Sequence, residues 1–203
     1  MGFNKKLFDK DPNMTTLAPT LYTRAFPRTS TWLRDLSLIA LGAALMALLA
    51  QVRIPLPFTP VPLTGQTFGV LLVAAALGSK RGAASMALYM ALGAFGLPVF
   101  AGGAAGLSYM TGATLGYLIG FVLAAYVVGG LAERGLERSV RTSLLPFLVG
   151  TLIIYLCGVT WLTVLLGSLT KALAAGLVPF LLGDAIKLVA ATLALPAAWK
   201  FVK

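Results

Sequence analysis

The sequence has no histidine, a single cysteine (Cys157) and only six acidic residues in 203 positions. The lack of histidine excludes imidazole acid–base chemistry and the usual zinc sites. One cysteine, lying in an apolar stretch, excludes a disulfide framework. Charged residues make up 11% of the chain, whereas soluble domains carry about 25%. What fills their place is apolar: 59% hydrophobic residues and a mean hydropathy of +0.91. The chain therefore reads as an all-α integral membrane protein. A crossing helix takes about 20 apolar residues, so six crossings would use most of the length and leave no room for a soluble domain. No GxxxxGK[ST] phosphate loop and no nucleophile–base set occur, so neither nucleotide hydrolysis nor another enzymatic role is predicted, and no cofactor is expected.

Apolar runs place the spans at 35–52, 63–79, 82–97, 112–132, 144–167 and 178–199. The third is short for a crossing. The net charge of +10 would fit a nucleic-acid partner, but its distribution points to the bilayer. Lys5, Lys6, Lys10, Arg24, Arg28 and Arg34 precede the first span, and Lys80 and Arg81 follow the second. Arg134, Arg138 and Arg141 follow the fourth, and Lys200 and Lys203 follow the sixth. Arg53 and Lys171 fall on the opposite side, and Lys187 falls inside a span. Short cytoplasmic loops collect Lys and Arg, so the expected topology is multi-pass in the cell membrane with both termini cytoplasmic. Residues 1–34 are expected to form a mobile or surface-lying cytoplasmic tail, and 35–203 a six-helix substrate-binding domain.

The segment Arg53–Pro62 holds four prolines in ten residues. Each removes a backbone donor and biases the preceding residue towards extended backbone, so this loop is not helical. A stiff apolar loop of this kind fits either a rigid spacer or a lid over a small-molecule pocket. Two further segments meet it on the outer side: the glycine-rich stretch 98–111, containing Gly102 and Gly103, and the start of the last span at Pro179. Gly102 and Gly103 are candidate ligand contacts, because glycine lets the backbone approach a ligand closely, although a flexible turn is the simplest reading of the pair. Within the last span, Asp184 and Lys187 are three apart and share a helix face. Ionisable groups in a span cost about 2.5–3.5 kcal/mol each and by default mark a functional site. The carboxylate can accept from ligand N–H groups, and the ammonium can donate to a carbonyl or carboxylate.

Gly112, Gly116, Gly120 and Ala124 recur every four positions, a small-residue ridge for close helix packing. Ala40, Ala43, Ala44 and Ala47 make a similar face on the first span, suited equally to internal packing and to a membrane partner. No segment after residue 98 echoes the proline-rich loop, which speaks against an inverted-repeat secondary transporter. A proton-coupled carrier using Asp184 stays open as an alternative, as does a homo-oligomer.

The blocks Ile54–Gln66 (IPLPFTPVPLTGQ), Leu88–Gly103 (LYMALGAFGLPVFAGG), Gly116–Phe121 (GYLIGF) and Gly183–Lys187 (GDAIK) resemble the BioY family. These are the biotin-binding S components of energy-coupling factor transporters. The resemblance covers about residues 35–200 and leaves out the N-terminal tail. It implies a six-helix protein that captures biotin from outside, with a T component and two ATPases supplying the energy. Asp184 and Lys187 match the acid and lysine of the family's last helix and would face the ureido ring. Phe58, Tyr89 and Phe100 would wall the pocket, Gln66 would add a polar contact, and Arg53 would meet the carboxylate tail. The alanine face is similar to the small-residue signature by which S components dock on the T component.

Overall fold

The computed structural model describes residues 16–200; the first fifteen residues of the expected tail and Lys203 lie outside them. Nine α-helices and one two-stranded ladder are formed among the described residues: α1 Leu17–Ala25, α2 Thr31–Gln51, β1 Arg53–Ile54, β2 Leu63–Thr64, α3 Gln66–Leu77, α4 Ser79–Ala94, α5 Leu107–Met110, α6 Leu115–Ala132, α7 Val140–Leu166, α8 Leu169–Gly176 and α9 Leu181–Lys200. The six longest are centred on the expected spans. By length and apolar composition four candidates are able to cross a membrane: α2, α6, α7 and the 169–200 segment containing α8 and α9. α3 and α4 have 12 and 16 residues, which at ~1.5 Å per residue is less than the ~30 Å hydrocarbon core.

α6 sits centrally, against α3, α4 and α7. Two of its glycines make the approach to α7 possible. A Cβ on Gly116 would overlap the Cys157 carbonyl and Trp161, and one on Gly120 would lie 3.0 Å from the Ile154 Cα. Gly112 is not on that ridge: it precedes α6, and its carbonyl accepts from Trp161 Nε1 at 2.9 Å.

α9 contains Pro196, whose missing N–H leaves the Thr192 carbonyl without its helical partner. Ser143 Oγ from α7 donates to that carbonyl at 3.2 Å, so the two helices are joined where one of them is weakened.

Part of the region expected to be a mobile or surface-lying tail is helical. From Thr16 onward it is ordered against the bundle, with α1 packing on α2 and α3. Leu17 is 7% and Thr20 4% exposed. The nine-residue α1 buries Leu17, Pro19 and Thr20 and leaves Leu21 exposed, while Pro19 in its first turn costs little because the first N–H groups have no helical partner.

Candidate functional site

The proline-rich loop is non-helical, as its residues require. It leaves α2 and returns through the β1–β2 ladder, in which Arg53 pairs with Thr64 and Ile54 with Leu63. Beneath it lies a cavity of about 50 Å³ lined by residues of the loop, α3, α4, α6, α7 and α9.

The polar side of the cavity is built around Asp184. α9 begins at Leu181 rather than at Pro179, so Asp184 falls in its first turn, where the helix dipole favours a carboxylate. Its side chain is 7% exposed, and Oδ1 accepts from Lys187 Nζ at 2.7 Å. The same oxygen accepts from Thr67 Oγ1 at 2.9 Å, and Lys187 Nζ also donates to Thr67 Oγ1 at 3.0 Å. Oδ2 accepts from Tyr155 Oη at 2.6 Å. Three helices thus converge on one carboxylate. A second polar pair lines the same cavity, where Gln66 Nε2 donates to Tyr89 Oη at 2.8 Å. This leaves the tyrosine proton for an acceptor in the cavity.

The apolar side is aromatic. Phe100 is fully buried, edge-on to Tyr89 at 5.6 Å between centroids and stacked on Tyr109 at 5.3 Å. Its ring rests on Gly93, where any Cβ would overlap it. Phe121, Ile154 and Phe180 complete the wall.

Asp184, Lys187, Gln66, Tyr89 and Phe100 are therefore brought together around one cavity. Other expected site residues are placed elsewhere. Phe58 is 67% exposed at a turn of the loop, because it is Val61, with Pro62, that turns inward to line the cavity. Gly102 and Gly103 both have positive φ and lie outside the lining, which takes Ala101 instead. Arg53 is exposed, and its side chain covers Gly102 so closely that a Cβ there would lie 2.6 Å from Nη1. It nevertheless lies close enough to the cavity-lining Tyr109 to act on it electrostatically. Ala43 is 2% exposed and packs inside the bundle, while Ala40 and Ala44 face outward and Ala47 is half-buried. Ala43 lies on the side of the stripe next to Gly42 and Met46, both buried on the inner face of α2.

Thr67, Tyr117 and Tyr155 were not legible as site residues. Hydroxyl groups are common in apolar helices and carry no periodic signal; only the packing of α3, α6 and α7 against α9 assembles them.

Comparison with known proteins follows the same geometry. The sequence model of the BioY family matches residues 16–203, reaching further towards the N-terminus than the motif blocks do. The biotin transporter BioY of Thermotoga maritima is 43% identical over 161 residues, 79% of this chain and 93% of that protein. The biotin transporter BioY of Rhizobium etli is 39% identical over 169 residues, 79% of this chain and 90% of that protein. Among solved structures, the S-component for biotin from an ECF-type ABC transporter, a crystal structure at 2.1 Å, superposes with a TM-score of 0.76 at 27% identity, covering 85% of this chain and 95% of that one. With its family match extending over the helical bundle and the residues of this cavity, the chain belongs to the BioY family.

Proposed function

We propose that this protein captures biotin from the outer side of the cell membrane as the substrate-specificity subunit of an ATP-driven uptake system. The observation that carries the reading is the pairing, in one enclosed cavity, of the Asp184–Lys187–Thr67–Tyr155 network with the aromatic wall of Tyr89 and Phe100. Biotin has the matching halves. Its ureido ring offers N–H donors to Asp184 and a carbonyl to Lys187, and its thioether ring and methylene chain suit an aromatic wall. Arg53 at the rim then meets the carboxylate tail, and the loop 53–62 closes over the ligand. Its prolines limit the entropy lost on ordering.

The six long helices cross the bilayer with both termini cytoplasmic, which puts the lysine- and arginine-rich connections inside. α3 and α4 cross as shorter members packed among longer neighbours. The energy comes from a transmembrane T component and ATPase subunits, because the chain has no nucleotide-binding loop of its own. The outward alanines Ala40 and Ala44, with half-buried Ala47 at their edge, form the smooth surface that close helix packing in lipid requires. A proton-coupled carrier is less well supported, because Asp184, the only carboxylate lining the cavity among the described residues, already accepts from Lys187, Thr67 and Tyr155. Uptake into proteoliposomes separates the two. The reading predicts uptake only with the T component, ATPases and ATP, whereas uptake by the chain alone driven by a proton gradient would replace it.

A further inference from the structure

Between Ile54 and Pro62 the lid has one polar side chain, Thr59; every other residue is apolar or proline. That single hydroxyl is used twice. Thr59 Oγ1 accepts from the Val61 backbone N–H at 3.1 Å, a local turn of the kind that Ser and Thr hydroxyls form. It also donates to the carbonyl of Ala175 at 2.6 Å, across 116 positions of sequence. The first bond sets the backbone so that Val61, 6% exposed, points into the cavity. The second ties the lid to α8.

The receiving surface is itself tied to the bundle. The final carbonyls of a helix have no internal donors, and in α8 two of them are taken by side chains from outside: Ala175 by Thr59 and Gly176 by Tyr117 Oη at 2.6 Å. Tyr117 also lines the cavity, so α8 is anchored from below by the same wall that surrounds the ligand space. Between the β1–β2 ladder and the buried Val61, the lid makes few polar contacts besides this one. Pro55, Pro57, Phe58 and Pro60 are exposed, and the prolines leave few N–H groups for other bonds.

We propose that Thr59 is the positioning residue that latches the lid shut. Its hydroxyl bolts the loop to the C-terminal turn of α8 and orients Val61 as the plug over the ligand. This rests on the biotin reading above for the identity of what is enclosed, but not for the latch itself. Thr59 is not among the residues lining the cavity, so its contribution lies in the rate of opening rather than in recognition.

The test uses the full chain in lipid nanodiscs. Thr59→Val keeps the branched shape and removes the hydroxyl; Thr59→Ser restores it. One neutral hydrogen bond corresponds to about a three- to tenfold change in rate. Thr59→Val should therefore release biotin about three- to tenfold faster than wild type without slower association, and Thr59→Ser should return to the wild-type rate. A Thr59→Val protein with the wild-type dissociation rate overturns the latch. A second arm needs no ligand: a nitroxide attached at Phe58→Cys in a Cys157→Ala background should be more mobile with Thr59→Val than with Thr59 or Thr59→Ser. If wild type binds no biotin, the functional reading falls, and the nitroxide arm decides the latch alone. Equal mobility of all three proteins then overturns it.

Discussion

Tyr155 Oη and Asp184 Oδ2 are joined by a 2.6 Å hydrogen bond that links α7 to α9 across 29 positions of sequence. The other oxygen of the carboxylate is held by Lys187 and Thr67. The acid is thereby aimed by three neighbours before any ligand arrives, which is what an acceptor for ureido N–H groups needs in order to bind without reorganisation.

Removing the tyrosine hydroxyl should disorder this aim. Tyr155→Phe leaves a buried carboxylate oxygen without its donor, at a cost of about 1–3 kcal/mol. Biotin affinity is expected to fall about five- to hundredfold while the protein stays folded. Asp184→Asn, which breaks the pair with Lys187, should cost at least about a hundredfold. Calorimetric titration of both variants checks the order, and Asp184→Asn with near-native affinity would remove Asp184 from the site.

The aromatic wall depends on a missing side chain. Phe100 lies on Gly93, so Gly93→Ala must push the ring off its place between Tyr89 and Tyr109. Overpacking of this kind costs about 1–3 kcal/mol, and biotin affinity should drop about tenfold or more. Adding Phe100→Leu to Gly93→Ala frees the space and should recover part of the stability lost. Wild-type affinity for Gly93→Ala would mean the wall does not contact the ligand.

How much of this was legible in the sequence depended on whether each residue broke a pattern. Asp184 and Lys187 stood out because ionisable groups in an apolar helix are costly, and the proline loop because proline forbids a helix. Phe58 was misplaced for the opposite reason: an extended loop without a period gives no rule for which apolar side chain turns inward, and Val61 does so instead. α1 was hidden because nine residues containing Pro19 do not show a helical repeat. The Thr67 and Tyr155 contacts are long-range, created only when α3 and α7 meet α9.

The face of α2 offers a test of partner docking that separates adjacent alanines. Ala44 is exposed and Ala43 is 2% exposed. Ala44→Trp should leave biotin binding intact and abolish co-purification with the T component and ATP-dependent uptake. Ala43→Trp should instead lower stability and yield, because the bundle has no room for the ring. Full uptake by Ala44→Trp would place the docking surface elsewhere.

Glu137, in the connection between α6 and α7, is fully buried, accepts from Trp199 Nε1 at 3.1 Å through Oε1, and has no partner for Oε2. Burial raises its pKa above the ordinary carboxylate value, partly offset by its own backbone, Arg138 and Trp199. The folded state therefore holds a proton that the unfolded chain has already lost. Stability is greatest at low pH for this group and falls as pH rises through the folded pKa. Glu137→Gln should flatten the dependence of melting temperature on pH above the ordinary carboxylate range and raise it at the upper end. A slope equal to that of wild type would show that Glu137 does not titrate with folding.

The central claim is that the Asp184 cavity is a biotin site. Isothermal titration of the purified wild-type protein with biotin tests it most directly. The account predicts saturable binding of one biotin per chain that is lost or greatly weakened in Asp184→Asn, whereas wild-type protein that gives no binding heat, or the same affinity in both proteins, would contradict it.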